Sequence, residues 1–234
     1  MKKNNIQQKI MNQIWKVKNV LVEMLTDRGF DSEENKKKYK DFINNNENVQ
    51  STTKKRTIVL SVEKEKINKD GKETLNVFFI MEGKFGKDEM NNKDNKGILQ
   101  QAKTQYEEKE NPNDLITQLV IFQNGYTTGH NKLRLEANSL NTASKGAGYR
   151  IEFMDIKFLY FNRSKSSLSS FHKIMSDKEI EEKIKPYYQE SKLMQIKLTD
   201  PQVIYLGATL GNILEVVRKS DSSGKSTVYR RVIS

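Results

Sequence analysis

The chain has 234 residues, enough for one large or two modest domains around a sizeable core. It is 35% hydrophobic and 30% charged, carries a net charge of +11 and has no cysteine, which leaves a lean core and excludes disulfides and thiolate zinc sites. No apolar run exceeds Val77 to Met81 and no apolar stretch long enough for the core of a leader precedes Ile14, so a membrane span and a secretory leader are not expected and the composition is that of a soluble intracellular protein.

From the N-terminus, Ile14, Val17, Leu21, Met24 and Leu25 recur at three- and four-residue intervals, predicting a helix from Ile6 to Arg28 that Gly29 stops. Trp15 lies on that stripe and reads as a packing residue. A second helix is expected over Ser32 to Ile43. Strands follow at Thr57 to Glu63 and Leu75 to Glu82, joined by the turn Lys69-Asp70-Gly71. Next come a helix at Ile98 to Glu108, a break at Asn111-Pro112-Asn113, a strand at Leu119 to Gln123, a helix at Lys132 to Leu140 and a strand at Tyr149 to Asp155. This alternation implies an α/β sheet covered by helices, ending near Asp155, so the expected domains are 1–155 and 156–234.

The Ser-rich stretch Ser164 to Ser170 reads as a linker. Ser176-Asp177-Lys178-Glu179 is a capping-box signature opening a helix through Ile184. Asp200 then suits an N-cap, Pro201 a first helical turn, Val203, Ile204 and Leu206 a short apolar face, and Gly207 a left-handed stop. After a bend at Gly211, Ile213 to Arg218 and Thr227 to Ile233 read as strands around Ser220-Asp221-Ser222-Ser223-Gly224. The expected C-terminal domain is a small α+β unit with a terminal β-hairpin.

The positive charge is dispersed: residues 151–234 hold 14 Lys/Arg against 10 Asp/Glu, and residues 1–150 hold 27 against 20. That supports weak, salt-sensitive attraction to phosphate backbones, and Lys/Asn-rich coding produces it as well. Gly224-Lys225-Ser226-Thr227 echoes a phosphate loop, but the earlier Gly is replaced by Lys219 and no helix follows. Glu82-Gly83-Lys84 at a strand end resembles the Glu-x-Lys of PD-(D/E)xK nucleases, where two carboxylates hold Mg²⁺ and the Lys steadies the attacking water. The nearest upstream acid, Asp70, falls in a turn, so that metal site is incomplete. His130 and His172 have no carboxylate partners at ligand spacing. No cofactor is expected.

The ordered set Asp200-Pro201, Tyr205, Gly207 with Gly211, Arg218 with Ser220, Gly224, and Tyr229-Arg230 resembles the end of the fifth subunit of DNA-dependent RNA polymerases, whose C-terminal part is similar to an archaeal polymerase subunit. Ile14-Trp15-Lys16-Val17-Lys18 with Asp27-Arg28-Gly29-Phe30 resembles that family's opening helix. Thr209-Leu210 stands where the family usually has Lys-Arg, and Ser166 and Ser170 replace a His and a Pro of its inter-domain pattern.

The resemblance implies a noncatalytic subunit with a nuclease-like α/β jaw domain and a C-terminal assembly domain that docks on the largest subunit through Pro201, Tyr205, Arg218, Tyr229 and Arg230. The loop Gly125 to His130 would face duplex DNA downstream of the active site, with Thr127, Thr128, His130 and Lys132 as contacts to the DNA backbone. A plain strand-to-helix connection with Thr128 near an N-cap is the other reading of that loop. The implied location is with the transcription machinery: the nucleus of a eukaryotic cell, or a viral factory or virion, since abundant Lys and Asn fit an AT-rich genome of either source. The alternatives are a Mg²⁺-dependent nuclease using Glu82 and Lys84, and a free-standing basic DNA-binding module.

Overall fold

Val17, Leu21, Met24 and Leu25 are all fully buried on one face of helix α1, residues 17–27. The computed structural model describes residues 17–44, 58–65, 71–80, 97–109, 111, 113–122, 148–166, 169–220 and 224–233. Trp15 and the expected helix at Lys132 to Leu140 lie outside them. Gly29 ends α1 at φ 87°. Its N–H donates to the Thr26 carbonyl at 2.9 Å and that of Phe30 to Leu25 at 3.0 Å, the paired bonds that close a helix through a left-handed residue.

The chain divides into two units, residues 1–160 and 161–234. In the first, helix α2 (Glu33–Asn44) starts where Ser32 Oγ accepts the Asn35 N–H. A four-stranded sheet of order β1-β2-β3-β4 follows, made of β1 (Leu60–Glu65), β2 (Lys72–Ile80), β3 (Leu115–Phe122) and β4 (Tyr149–Asp155). β1 runs antiparallel to β2, while β2, β3 and β4 are mutually parallel. Helix α3 (Ile98–Glu107) connects β2 to β3 and buries Phe78, Ile80, Val120, Phe122, Ile151 and Phe153 against Ile98. On the opposite face Phe42 of α2 stacks on Phe79 at 6.4 Å between ring centres. Cover on both faces explains why these parallel strands read as unbroken apolar runs. Asn35 shields the edge of β1, donating to the Glu63 carbonyl at 2.7 Å and accepting its N–H at 3.3 Å.

Strand β3 starts at Leu115, four residues before the expected Leu119, because its first turn of sequence hides polar side chains. Thr117 and Gln118 are fully buried. Thr117 Oγ1 donates to Glu73 at 3.0 Å and accepts from Arg150 Nε at 3.0 Å. Around them runs a chain of charges: Lys64–Glu73 at 3.3 Å, Glu73–Arg150 at 2.9 Å, Arg150–Glu152 at 3.0 Å and Glu152–Arg28 at 2.8 Å. Burial opposes the charge on Glu73 and Glu152, yet Arg150 with Lys64, and Arg28 with Arg150, overcome it and hold both carboxyls below their ordinary range.

Gly148 precedes β4, and its carbonyl accepts the Ile116 N–H at 2.6 Å. A Cβ there would run into the Tyr106 ring and stand 2.5 Å from the Asp114 carbonyl. Gly148→Ala is therefore expected to destabilise the first unit by about 1–3 kcal/mol through overpacking, read as a lower urea midpoint.

Beyond β4, Asp155 caps a 3-10 turn, Ile156–Leu159, whose Ile156 and Leu159 are fully buried, so the first unit continues past the expected border near Asp155. The second unit opens on a 3-10 turn, Arg163–Lys165, capped by Asn162. Its sheet has order β5-β7-β8-β6, with β5 (Phe171–Ile174), β6 (Met194–Lys197), β7 (Ile213–Ser220) and β8 (Gly224–Ile233). β5 and β6 are absent from the sequence reading, which treats the Ser-rich stretch as a linker and finds no pattern in four-residue segments.

Helix α4 (Asp177–Lys183) carries both capping-box bonds between Ser176 and Glu179. Lys173 Nζ also donates to Glu179 at 2.6 Å; with the Ser176 N–H it holds the Glu179 carboxyl at about 2. A depressed folded-state value means this contribution is complete above the ordinary value of 4.5 and is lost as pH falls towards 2. Ser176→Ala is expected to cost about 1 kcal/mol at pH 7, measured by chemical unfolding.

Candidate functional site

The terminal motif lies on helix α5 and the hairpin of the second unit. Asp200 accepts the Gln202 N–H at 2.8 Å, Pro201 occupies the first turn, and helix α5 (Pro201–Leu206) ends at Gly207 with φ 67°. Val203 and Tyr205 are the buried residues of α5, whereas Ile204 and Leu206, expected to form its apolar face with Val203, are half-buried. Asn212 Oδ1 accepts the Thr209 N–H at 2.7 Å and hydroxyl at 3.0 Å, and the Gly211 N–H donates to the Val232 carbonyl at 3.0 Å. Thr209 thus closes the turn into β7. Val203 and Ala208 pack with Ile196, Leu214, Val216 and Val232, which bind α5 to the sheet.

The charged members of the motif sit on the hairpin. β7 and β8 pair antiparallel from Ile213↔Arg231 to Ser220↔Gly224, so the strands extend farther towards the turn than expected. Residues 221–223 lie outside the described residues. Arg218 is exposed opposite Ser226. Tyr229 packs its ring 6.0 Å from that of Tyr188. Arg230 lies between Leu214 and Met194, and its Nε is buried with no hydrogen-bond partner. Gly224 to Thr227 is strand, as the rejection of a phosphate loop required. The structure therefore brings Pro201, Tyr205, Arg218, Tyr229 and Arg230 into one small fold on helix α5 and the two central strands.

Thr127, Thr128, His130 and Lys132, and also Glu82, Lys84 and Asp70, lie outside the described residues. His172 lies on β5, with Nδ1 2.9 Å from the Ser170 carbonyl. Among the described residues no cluster of three His, Cys, Asp or Glu is arranged to hold a metal, and no helix is long and apolar enough to cross a membrane. Sequence reading missed Phe171, Tyr187 and Tyr188, which are 55%, 77% and 51% exposed. The available signal was Pro186-Tyr187-Tyr188 just after a helix stop, large aromatics outside any apolar period.

Comparison with known proteins decides the family. Residues 8–96 match the profile of RNA polymerase Rpb5, N-terminal domain, and residues 161–232 that of RNA polymerase Rpb5, C-terminal domain. The DNA-directed RNA polymerase subunit Rpo5 of Thermococcus kodakarensis is 44% identical over 63 residues, 26% of this chain and 77% of the relative. The chain belongs to the Rpb5 family of RNA polymerase subunits. Rpo5 of Methanosarcina mazei is 35% identical over 63 residues, 26% of this chain and 81% of its own length. Subunit 5B of the DNA-directed RNA polymerases IV and V of Arabidopsis thaliana is 31% identical over 104 residues, 43% and 48% of the two chains. These relatives are archaeal and plant, and of the two sources left open by the sequence the viral one is not borne out. As an Rpb5-family member the chain is a subunit of a DNA-directed RNA polymerase, works in transcription with other polymerase subunits, and resides with the transcription machinery. The match to the N-terminal domain falls within the first unit and that to the C-terminal domain within the second, and each unit has a mixed sheet with packed helices.

Proposed function

We propose that this Rpb5-family chain is a noncatalytic subunit whose C-terminal unit docks on the largest polymerase subunit and whose N-terminal unit forms part of the jaw around downstream DNA. The observation that carries the reading is the two-ended match, with both Rpb5 domains present in order. The parallel three-strand core with helices on both faces supports a nuclease-like scaffold for the jaw. In that jaw Thr127, Thr128, His130 and Lys132 contact DNA phosphates, without base readout. In the docking unit Pro201 and Tyr205 shape α5, while Arg218, Tyr229 and Arg230 present side chains to the partner. The units of residues 1–160 and 161–234 carry these two roles, and in a eukaryotic cell the location is the nucleus.

Cross-linking mass spectrometry of the assembled polymerase on a downstream DNA duplex tests this. Links from residues 161–234 to the largest subunit and from residues 123–132 to DNA are the expected result. Links of the C-terminal unit to other subunits only would sink the docking assignment, and a DNA-free N-terminal unit would sink the jaw.

A further inference from the structure

Strand β8 is flanked unequally. β7 pairs with it from Gly224 to Arg231, whereas β6 covers its other side only from Arg230 to Ile233. Residues of an antiparallel strand alternate in the side to which they send N–H and C=O. Val232 fixes the parity: its N–H donates to Asn212 at 2.9 Å and its carbonyl accepts from Gly211 at 3.0 Å, both on the β7 side. With the register unbroken to Ser220↔Gly224, Val228 and Arg230 also face β7. Thr227 then sends its N–H and C=O the other way, as Tyr229 sends its N–H, towards the side where β6 does not reach. Thr227 is exposed. Among the described residues no ladder partner covers this edge.

Protein edges of this kind are ordinarily blunted by proline, bulges, short length or charge. Here residues 224–229 have neither proline nor bulge, and charge is the device present. Arg218, Lys219 and Lys225 are exposed, and Arg230 and Arg231 half-buried. The acid among the described hairpin residues, Glu215, is engaged by Lys183 at 3.6 Å. A cationic edge repels a second copy of itself and attracts an acidic strand. The Arg230 Nε, buried with no hydrogen-bond partner, lies on the residue opposite the start of β6 and is a donor awaiting an acceptor.

We propose that an extended, net-acidic segment of another polymerase subunit adds as a strand to the edge of β8 alongside Thr227 and Tyr229, continuing the line of β6. This rests on the reading of the C-terminal unit as the docking unit. The added backbone accepts the Thr227 and Tyr229 N–H groups and donates to the Thr227 carbonyl. Its acidic side chains meet Arg218 and Arg230, and an apolar side chain on the other face packs against the Tyr188–Tyr229 ring pair.

Residue-resolved hydrogen exchange on the full chain, alone and in the assembled polymerase, tests this. The Thr227 and Tyr229 amides are expected to exchange at least about tenfold more slowly in the assembly, while Val228 and Arg230 are slow in both. Thr227→Pro removes the outward N–H and blocks the added strand while sparing the β7 ladder. It is expected to lower incorporation in competition with the wild type about tenfold at an unchanged unfolding midpoint, with Thr227→Val incorporating normally. Stoichiometric incorporation with unchanged exchange at Thr227 and Tyr229 overturns the strand addition and leaves docking standing. Failure of the wild-type chain to enter the polymerase overturns docking itself. Protection that instead appears in a homodimer of the isolated chain overturns the acidic partner. Should Thr227→Pro unfold, the wild-type exchange comparison decides alone.

Discussion

Arg150→Met is expected to destabilise the N-terminal unit by about 3 kcal/mol at pH 7. Arg150 donates to Glu73 at 2.9 Å and approaches Glu152 at 3.0 Å, and the side chains of all three are at least four-fifths buried. Removing the guanidinium leaves two buried carboxylates to one cation each, Lys64 and Arg28, which places the loss at the lower end for a broken buried pair. The pH profile separates this from simple loss of packing. In the wild type, burial opposes ionisation but the neighbouring cations prevail, so both folded-state values lie below the ordinary 4.5. Stability from these groups is therefore complete above 4.5 and falls as pH drops below it. In Arg150→Met burial regains influence and protonation relieves the less fully compensated charge, so the gap to the wild type narrows as pH falls from 7 to 4. Urea unfolding across that range reads the result, and a constant gap would assign the loss to packing.

Leu214→Ala is expected to cost the C-terminal unit about 2–5 kcal/mol. Leu214 is fully buried among Val203 of α5, Ile196 of β6 and Val232 of β8, and it pairs with Ile174 on one side and Arg230 on the other. A cavity there loosens α5 and both central strands together. For a unit of residues 161–234 total stability is about 4–11 kcal/mol, so the variant approaches the unfolding threshold. Hydrogen exchange of β7 and β8 is the readout, with incorporation into the polymerase falling in step. A variant with native exchange rates would show that this core relaxes to fill the space.

Local chemistry made part of this fold legible and distance hid the rest. Asp200-Pro201 with Gly207 writes the start and stop of α5 in eight residues, and Ser176 with Glu179 writes the start of α4. Tyr149 to Asp155 alternates clearly enough to give β4 its observed bounds. β5 and β6 exist through pairing with β7 and β8, and four residues hold too little pattern to announce it. Thr117 and Gln118 look like loop residues until the partners of Thr117 are known: Glu73 lies 44 positions away and Arg150 lies 33. The docking candidates were legible as an ordered motif. The bare edge beside Thr227 was not, because strand order is a tertiary fact.

Assembly into a working polymerase underlies every role assigned to this chain. Purifying the tagged chain from its native cells at moderate salt, with quantitative mass spectrometry of what accompanies it, puts that assembly to the test. The expected result is recovery of the largest polymerase subunits at one copy each per copy of the chain. Recovery of the chain alone, with transcriptionally active polymerase that lacks it, would show that it is no subunit of that enzyme.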